Sequence, residues 1–366
     1  MLRDLLIFLS ENDAARKFSM HAPGARSMAR RFVAGETIDD GINAAKRLAE
    51  AGFGVSLDCL GESVKSRNEA REAGDTYVEL LERIATDKLK DGSPLMAKAN
   101  VSLKLTQMGQ DIRLSEATST GAAPATQPDQ SLAGVPNAAW PRPNDWPITD
   151  KGGYDEAFLR DNLGRVLAVA KKHDIFVRLD MESSLYTQRT LDFFRSLWDQ
   201  GNTNVGVVLQ SYLRRTEHDI NAANHLGNRV RLCKGAYKEP ETVAYQEKSR
   251  VDSNYVQCMQ ILLSEGNYPG IATHDEAMIR ATKEYAKAKN IPNSAYEFQM
   301  LYGVRRDLQN QLIREGYNVR VYVPFGGAWY PYLMRRMAER PANLFFIVNA
   351  VLRESPFGGL MRSGEK

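Results

Sequence analysis

Short apolar runs alternate with longer amphipathic segments along most of the chain. The runs are rich in β-branched residues and mostly lack strict apolar and polar alternation, which is typical of parallel strands covered on both faces. There are eight of them: GVSLDCL from Gly54, NVSLKLT from Asn100, DIFVRLDM from Asp174, VGVVLQSY from Val205, RVRLCKGAY from Arg229, GIATHD from Gly270, YEFQML from Tyr296 and VRVYVPFG from Val319. Eight strand and helix units predict a closed (βα)8 barrel of the α/β class. A doubly wound open sheet is the alternative, but the sequence lacks the G-x-G-x-x-G motif that usually accompanies a dinucleotide there.

A helix signal precedes the first run. Thr37 and Asp40 have the spacing of a helix start, and Gly52 predicts the helix end. We therefore assign residues 34–366 to the barrel domain and residues 1–33 to an N-terminal helical segment. The first residues, MLRDLLIFLSENDAARKF, are too short to span a bilayer and no cleavage site follows them. We interpret them as an amphipathic helix packed on the body, with a weak membrane-surface contact as the alternative.

The connection after the second run differs in composition. Residues 109–153 are dense in Gly, Pro, Ser, Thr and Ala and show little apolar periodicity, so we interpret them as an irregular insertion. A mobile surface excursion is one interpretation. The other is a lid over the barrel mouth, with apolar contacts from Trp140 and Trp146. The position after a strand end favours the lid, because the strand ends of a barrel carry its active site.

The stretch from Val319 to Asn343 predicts a strand, a turn and a final helix. One face of that helix carries Tyr332, Arg335, Arg336 and Glu339. Such a stripe either faces water or binds an anion, and by itself a solvated face is the commoner outcome. If the helix lies across the mouth of the barrel, the two arginines have a ligand to bind.

Composition narrows the class of protein. A hydrophobic fraction of 43% with 25% charged residues is typical of a soluble globular protein. The net charge of +3, from 48 basic and 45 acidic residues, is too balanced to indicate a nucleic-acid partner. Three cysteines without paired spacing indicate a reducing compartment, and five scattered histidines give no metal-ligand pattern.

Ionisable and polar side chains follow the predicted strand ends. They are Lys104; Asp180 and Glu182; Gln210; Arg231, Lys234 and Tyr237; Thr273, His274 and Asp275; Glu297 and Gln299; and Tyr322. Each could cap a helix or form a surface pair, but together they predict a ring around one mouth. With Arg335 and Arg336 of the final helix, the cations Lys104, Arg231 and Lys234 outnumber Asp180 and Glu297. We therefore expect two anion sites, one for phosphate groups and one for a carboxylate. This combination favours a phosphate-bearing organic cofactor beside an acidic small molecule.

Several segments together resemble the proline dehydrogenase family. They are VSLKLTQ, RLDMES, VVLQSYLRRT, RVRLCKGAYKEP, ATHD, YEFQMLYGVR, RVYVPFG and YLMRRMAERPAN, and they occur in order between about residues 34 and 350, outside the insertion. Without an aldehyde dehydrogenase domain, the chain resembles the monofunctional bacterial enzymes more than the bifunctional ones. The resemblance implies a barrel that oxidises L-proline to 1-pyrroline-5-carboxylate by hydride transfer to FAD and passes the electrons to a membrane quinone. It also implies a cytoplasmic protein, with peripheral contact at the inner face of the membrane as one arrangement.

The resemblance further implies roles for individual residues. Positions that match substrate contacts are Lys104, Leu301, Tyr322, Tyr332, Arg335 and Arg336. Asp180 and Arg231 match catalytic positions, with Arg231 against the reactive edge of the flavin. Flavin contacts are matched by Met181, Gln210, Arg231, Cys233, Lys234, Gly235, Thr273 and His274. Glu36 matches a gate carboxylate that pairs with the first helix arginine when the site closes. No metal ligand and no oligomeric state follow from the resemblance.

Two features depart from the family pattern. Lys238 stands where bifunctional members carry a tryptophan, and the insertion is not part of the short bacterial pattern. Two other functions also remain open from the residues alone. A Schiff-base aldolase would use Lys104 or Lys234 as a nucleophile, and a barrel that only binds a metabolite would show neither flavin nor turnover.

Overall fold

Eight parallel strands close into a barrel in the computed structural model of this chain. The structure describes residues 30–61, 64–89, 99–112, 140–143, 146 and 154–339, without the side chains of residues 335–339. The strands are β1 (Gly54–Cys59), β2 (Asn100–Leu103), β3 (Val177–Leu179), β4 (Val205–Gln210), β5 (Val230–Cys233), β6 (Gly270–Ala272), β7 (Glu297–Leu301) and β8 (Val319–Phe325). All eight fall inside the predicted runs.

Helices occupy the outer layer. They are α1 (Ile38–Glu50), α2 (Arg67–Thr86), α3 (Glu156–Lys172), α4 (Ser184–Asp199), α5 (Thr216–Leu226), α6 (Lys248–Glu265), α7 (Glu276–Ala288), α8 (Arg306–Arg314) and α9 (Trp329–Glu339), with a 3₁₀ turn at Asn293–Ala295. One helix lies between each pair of successive strands, as parallel connections require. None of the helices in the described ranges is long and apolar enough to cross a membrane.

The closure of the sheet confirms the predicted (βα)8 barrel and excludes the doubly wound alternative. Each strand pairs in parallel with the next, and β8 pairs with β1 over six positions from Gly54 with Arg320 to Cys59 with Phe325. Both faces of the strands are buried, one against the helices and one inside the barrel. This explains why the apolar runs lack clean alternation.

The predicted start of α1 is confirmed in its details. Thr37 Oγ1 accepts from the backbone N–H of Asp40, and the Asp40 carboxylate accepts from the backbone N–H of Thr37, which forms a capping box. Gly52 follows the helix with a φ of +85°, a conformation that glycine adopts without strain.

The insertion begins and ends at one point of the fold, between β2 and α3 as predicted. The backbone N–H of Asp155 donates to the carbonyl of Ile112 at 3.1 Å, so the two ends are hydrogen-bonded to each other. Near its end, Trp140 is buried against Phe194 of α4, with ring centroids 5.9 Å apart. Most of residues 113–153 lie outside the described residues, and the lid interpretation stays a prediction.

Trp146 of the insertion packs on loops that follow strands. It forms a small apolar cluster with Tyr212 and Leu213, which follow β4, and with Val243 and Ala244, which follow β5. These loops leave the carboxyl ends of their strands. The end of the insertion therefore contacts the same face of the barrel that carries the predicted ring of polar side chains.

Candidate active site

Arg231 lies at the centre of the polar interior. It is the second residue of β5, is 6% exposed, and contacts side chains from several other strands. Its Nη1 donates to Asp180 Oδ1 at 2.8 Å, and its Nε donates to Gln299 Oε1 of β7. Its Nη2 donates to Ser102 Oγ at 3.1 Å. These contacts fix the guanidinium plane, because each of its three nitrogens has its own acceptor.

Asp180 joins Arg231 to a phenol. It follows the last residue of β3, and its second carboxylate oxygen accepts from Tyr322 Oη at 2.7 Å. Arg231 also stacks over the Tyr322 ring, with 5.2 Å between the guanidinium carbon and the ring centroid. Burial, followed by the negative charges of Asp180 and Asp58, raises the pKa of Tyr322 well above its ordinary value. The phenol therefore stays protonated and donates to Asp180.

Lys104 lies at the end of β2 beside the first strand. Its Nζ is 3.5 Å from Oδ1 of Asp58, a fully buried residue of β1. Tyr77 of α2 donates its hydroxyl to the carbonyl of Ser102 at 2.8 Å and lies 3.4 Å from Asp58. Burial is the main cause of the raised pKa of Tyr77, and the charge of Asp58 adds to it. The cation of Lys104 is thus placed at the barrel mouth next to a buried carboxylate.

Lys234 is held by two carboxylates outside the barrel interior. Its Nζ contacts Asp252 of α6 and lies 2.7 Å from Asp275, the N-cap residue of α7. Burial alone would raise the pKa of both carboxylates, but the hydrogen bonds and charge of Lys234, with help from Lys248, lower them below the ordinary value. Lys234 therefore ties the loop after β5 to the starts of α6 and α7.

The neighbouring flavin-matched residues occupy the carboxyl ends of four strands. Gly235 has a φ of +104°, and a Cβ there would lie 2.3 Å from the Tyr212 ring, so this loop position requires glycine. His274 accepts the backbone N–H of Leu301 through Nε2 at 2.9 Å. Thr273 accepts the backbone N–H of Asp275 at 3.0 Å. Met181 and Gln210 are buried after β3 and at the end of β4, and Cys233 is the last residue of β5.

The final helix contacts the chain segment before α1. Trp329, the first residue of α9, donates its Nε1–H to Glu36 Oε1 at 3.2 Å. Tyr332 is buried in the same helix. Arg335 and Arg336 belong to α9, but their side chains lie outside the described residues, so the predicted pairing of Glu36 with the first arginine stays a prediction.

The structure corrects the predicted position of Glu297. It is the first residue of β7 and not a strand-end residue, and it accepts from Arg320 Nε at 2.8 Å, near the opposite end of the barrel. The apolar run around Glu297 located the strand, but it did not show where within the run the strand begins. Glu297 therefore does not contribute to the charge of the mouth.

Three of the five cations behind the predicted positive charge of the mouth are paired with carboxylates. Lys104 pairs with Asp58, Arg231 pairs with Asp180, and Lys234 pairs with both Asp252 and Asp275. Every cation of the ring whose side chain is described thus has a carboxylate partner.

Sequence reasoning missed three groups that complete the site. Asp58 lies within the first apolar run, and an acidic residue inside such a run is a signal that could have been used. Ser56 and Ser102 lie on the adjacent strands β1 and β2, with their hydroxyl oxygens 3.1 Å apart beneath Arg231. Asp252 lies near the start of α6, and nothing local marks it as a partner of Lys234. In the part of the chain that the structure covers, no group of three or more residues is arranged to bind a metal ion.

A closed parallel barrel with buried ion pairs at the carboxyl ends of its strands is the architecture of a barrel enzyme. Comparison with known proteins identifies the family. The family model described as proline dehydrogenase matches residues 41–349, and the chain belongs to this family. Membership supports the oxidation of proline as its reaction, and the resemblance seen in the sequence motifs is confirmed.

Curated relatives match over most of their length. Proline dehydrogenase 2 of Bacillus subtilis (strain 168) is 36% identical over 352 residues, which cover 96% of this chain and 99% of the relative. Proline dehydrogenase of Deinococcus radiodurans is 38% identical over 328 residues, which cover 89% of this chain and 91% of the relative.

A solved structure shares the fold. Proline utilization A (PutA) from Bdellovibrio bacteriovorus, crystallised after inactivation by N-propargylglycine, superposes with a TM-score of 0.73 at 27% identity. The match covers 98% of this chain and 39% of that chain, so this chain spans about two fifths of the solved protein.

Proposed function

We propose that this chain oxidises L-proline to 1-pyrroline-5-carboxylate with FAD as the hydride acceptor, and that a membrane quinone then receives the electrons. The observation that carries the proposal is the arrangement of Arg231, Asp180 and Tyr322 at the mouth of a proline dehydrogenase barrel. The buried cation is held in one orientation beside the position that the family resemblance gives to the flavin. We further propose residues 34–366 as the catalytic barrel, residues 1–33 as a separate helical segment, and a peripheral contact with the inner face of the membrane, where the quinone resides.

The side chains of the mouth have distinct proposed roles. When bound, FAD supplies the acceptor for the hydride that leaves the ring carbon next to the proline nitrogen. Lys104, Arg335 and Arg336 bind the substrate carboxylate, which fixes the ring against the cofactor. Arg231 places a positive charge where negative charge develops, and its hydrogen bonds to the protein hold it in one orientation. Leu301, Tyr322 and Tyr332 form the walls of the pocket.

The residues present fit a flavin. Gln210 is buried at the end of β4, and its Oε1 has no hydrogen-bond partner among the described residues. A buried amide oxygen of this kind is costly unless a ligand donor satisfies it, and the ring of a flavin carries an N–H group that can do so. Met181, Cys233, Lys234, Gly235, Thr273 and His274 surround the same strand ends and are the further proposed contacts.

The aldolase alternative is disfavoured by the surroundings of both lysines. A Schiff base requires a neutral amine, and its formation is helped by an apolar pocket or a second cation. Lys104 instead lies beside Asp58, and Lys234 lies between Asp252 and Asp275. Each amine is thus ion-paired with a carboxylate, and neither lies in an apolar pocket.

The test is anaerobic bleaching of the purified protein by L-proline. We expect a yellow protein whose visible flavin band disappears when L-proline is added and returns when a soluble quinone is added without oxygen. A colourless protein that borohydride traps with a carbonyl substrate would instead support the aldolase. A colourless protein that binds proline without turnover would support a binding function.

A further inference from the structure

The amide of Gln299 connects the central cation of the site to the opposite end of the barrel. Its Oε1 accepts from Arg231 Nε, and its Nε2 donates to Glu297 Oε1 at 2.6 Å. Glu297 in turn accepts from Arg320 Nε at 2.8 Å, and Arg320 Nη1 donates to the carbonyl of Val55 at 2.9 Å. All four side chains of this chain of contacts are buried, with exposed fractions between 2% and 6%.

This chain of contacts allows the Gln299 amide only one orientation. Turning the amide over would place its NH₂ group against the Arg231 Nε–H and its oxygen against the Glu297 carboxylate, which are both repulsive contacts. Because Glu297 is itself fixed by Arg320, the amide oxygen is held at one place for Arg231. Two groups therefore orient the Arg231 guanidinium: the Gln299 amide oxygen, on the side away from the mouth, and the Asp180 carboxylate, at the mouth.

Gly270 allows the Gln299 side chain to extend past β6 to Arg231. Arg231 and Gln299 lie on β5 and β7, and β6 runs between them, with Gly270 in register with Arg231 on one side and Glu297 on the other. The Gln299 side chain crosses β6 at Gly270, where a Cβ would lie 2.3 Å from Gln299 Nε2 and 2.7 Å from its Cδ. Contacts this short cannot persist, so any larger residue at position 270 has to displace the amide.

We propose that Gln299 is a positioning residue for Arg231 and that Gly270 is the gap in β6 through which it acts. Gln299 itself touches neither substrate nor cofactor in this scheme. The inference rests on the proposed function, because it assigns a purpose to the orientation of Arg231 beside the flavin. The contact between Gly270 and Gln299 is independent of that function and can be measured separately.

The experiment is a double-mutant cycle with Gly270→Ala, Gln299→Ala and the two combined. The control is Gly164→Ala, which lies in α3 with nothing within 4 Å of the added Cβ. Three quantities are measured on each purified protein: the urea midpoint, the reduction potential of the bound flavin, and kcat and KM for proline. The urea midpoint reports on the contact between Gly270 and Gln299 and can be measured without cofactor. The flavin potential and the kinetic constants report on the position of Arg231.

We expect Gly270→Ala to lower the urea midpoint in the wild-type background and to leave it unchanged in the Gln299→Ala background. A displaced amide also misplaces Arg231, and a misplacement of about 1 Å costs on the order of a hundredfold in rate. We therefore expect kcat to fall by about this factor, with a lower flavin potential, in both single variants and no further loss in the double variant. Gly164→Ala should match the wild type in kcat, KM and flavin potential, and its urea midpoint should stay the same or rise, because alanine favours a helix more than glycine does.

If Gly270→Ala lowers the urea midpoint equally in the wild-type and Gln299→Ala backgrounds, the effect comes from the β6 backbone. That result would refute the proposed contact between position 270 and Gln299. A coupled urea midpoint with unchanged kcat and flavin potential would show that Gln299 has a structural role only and would overturn the positioning role. A wild-type protein that is colourless even after incubation with FAD refutes the proposed function, and the positioning role with it. The urea cycle would still report the contact in that case.

Discussion

The carboxylate of Asp180 carries two hydrogen bonds that a neutral amide cannot both replace. Its oxygens accept from Arg231 Nη1 at 2.8 Å and from Tyr322 Oη at 2.7 Å, and the side chain is 10% exposed. In Asp180→Asn one oxygen becomes an NH₂ group that faces a donor. The perturbation keeps the shape of the side chain and removes its charge.

The expected loss follows from these two contacts. One charge-assisted hydrogen bond is lost, which costs about 1.5–3 kcal/mol, and one buried donor is left unpaired, which costs about 1–3 kcal/mol. Together they agree with the roughly 3–5 kcal/mol measured when one partner of a buried ion pair is removed. We expect Asp180→Asn to lower the free energy of unfolding by about 3–5 kcal/mol.

The assay is urea denaturation followed by circular dichroism on protein freed of bound ligand, so that ligand binding adds nothing to the stability. Tyr322→Phe provides the matched background, because without the phenol the new amide can turn its oxygen to Arg231. Asp180→Asn should therefore cost less there than in the wild type. A loss below about 0.5 kcal/mol in the wild-type background, the range of neutral surface changes, would refute this account of the ion pair.

Two further predictions concern the insertion and the phenol. Trp140 donates its Nε1–H to the buried carboxylate of Asp219 at 3.0 Å, so Trp140→Phe should destabilise the protein by about 1.5–3 kcal/mol in urea denaturation. The partly exposed Trp198 is the control, and an equal loss from Trp198→Phe would contradict the role of the hydrogen bond. The raised pKa of Tyr322 means that at pH 10 the folded protein keeps a proton that the unfolded chain has half lost, so its contribution to stability is complete below pH 10 and declines above it. The test is an ultraviolet titration in which the spectrum of Tyr322→Phe is subtracted from that of the wild type. The difference should show no phenolate at pH 10, and a half-formed phenolate band there would contradict the raised pKa of Tyr322.

The two tryptophans of the insertion lie on either side of a buried ion pair. Arg215 donates to both oxygens of Asp219, and the guanidinium carbon of Arg215 is 4.7 Å from the centre of the Trp146 ring. Burial raises the pKa of Asp219, and the hydrogen bonds and charge of Arg215 oppose that rise. The end of the insertion is thus attached to the barrel by specific contacts, although its composition suggested an irregular excursion.

The sequence by itself determined the barrel. Each strand is a run of three to seven mostly apolar residues buried on both faces, so its pattern is visible without knowledge of its neighbours. The capping box of Thr37 and Asp40 is local for the same reason. Family motifs located Asp180, Arg231 and Tyr322, and the structure brings these three side chains into direct contact.

Only the tertiary structure decided which charges meet. Lys234 forms ion pairs with Asp252 and Asp275 because α6 and α7 begin beside the end of β5. Glu297 does not lie at the mouth because it is the first residue of β7. Gln299 reaches Arg231 across a strand only because closure of the barrel sets Gly270 between them in register. Such contacts depend on strand register and on the absence of a Cβ on a neighbouring strand. Neither quantity is encoded in the local pattern of apolar and polar residues, which is why the partners of the predicted site residues could not be read from the sequence.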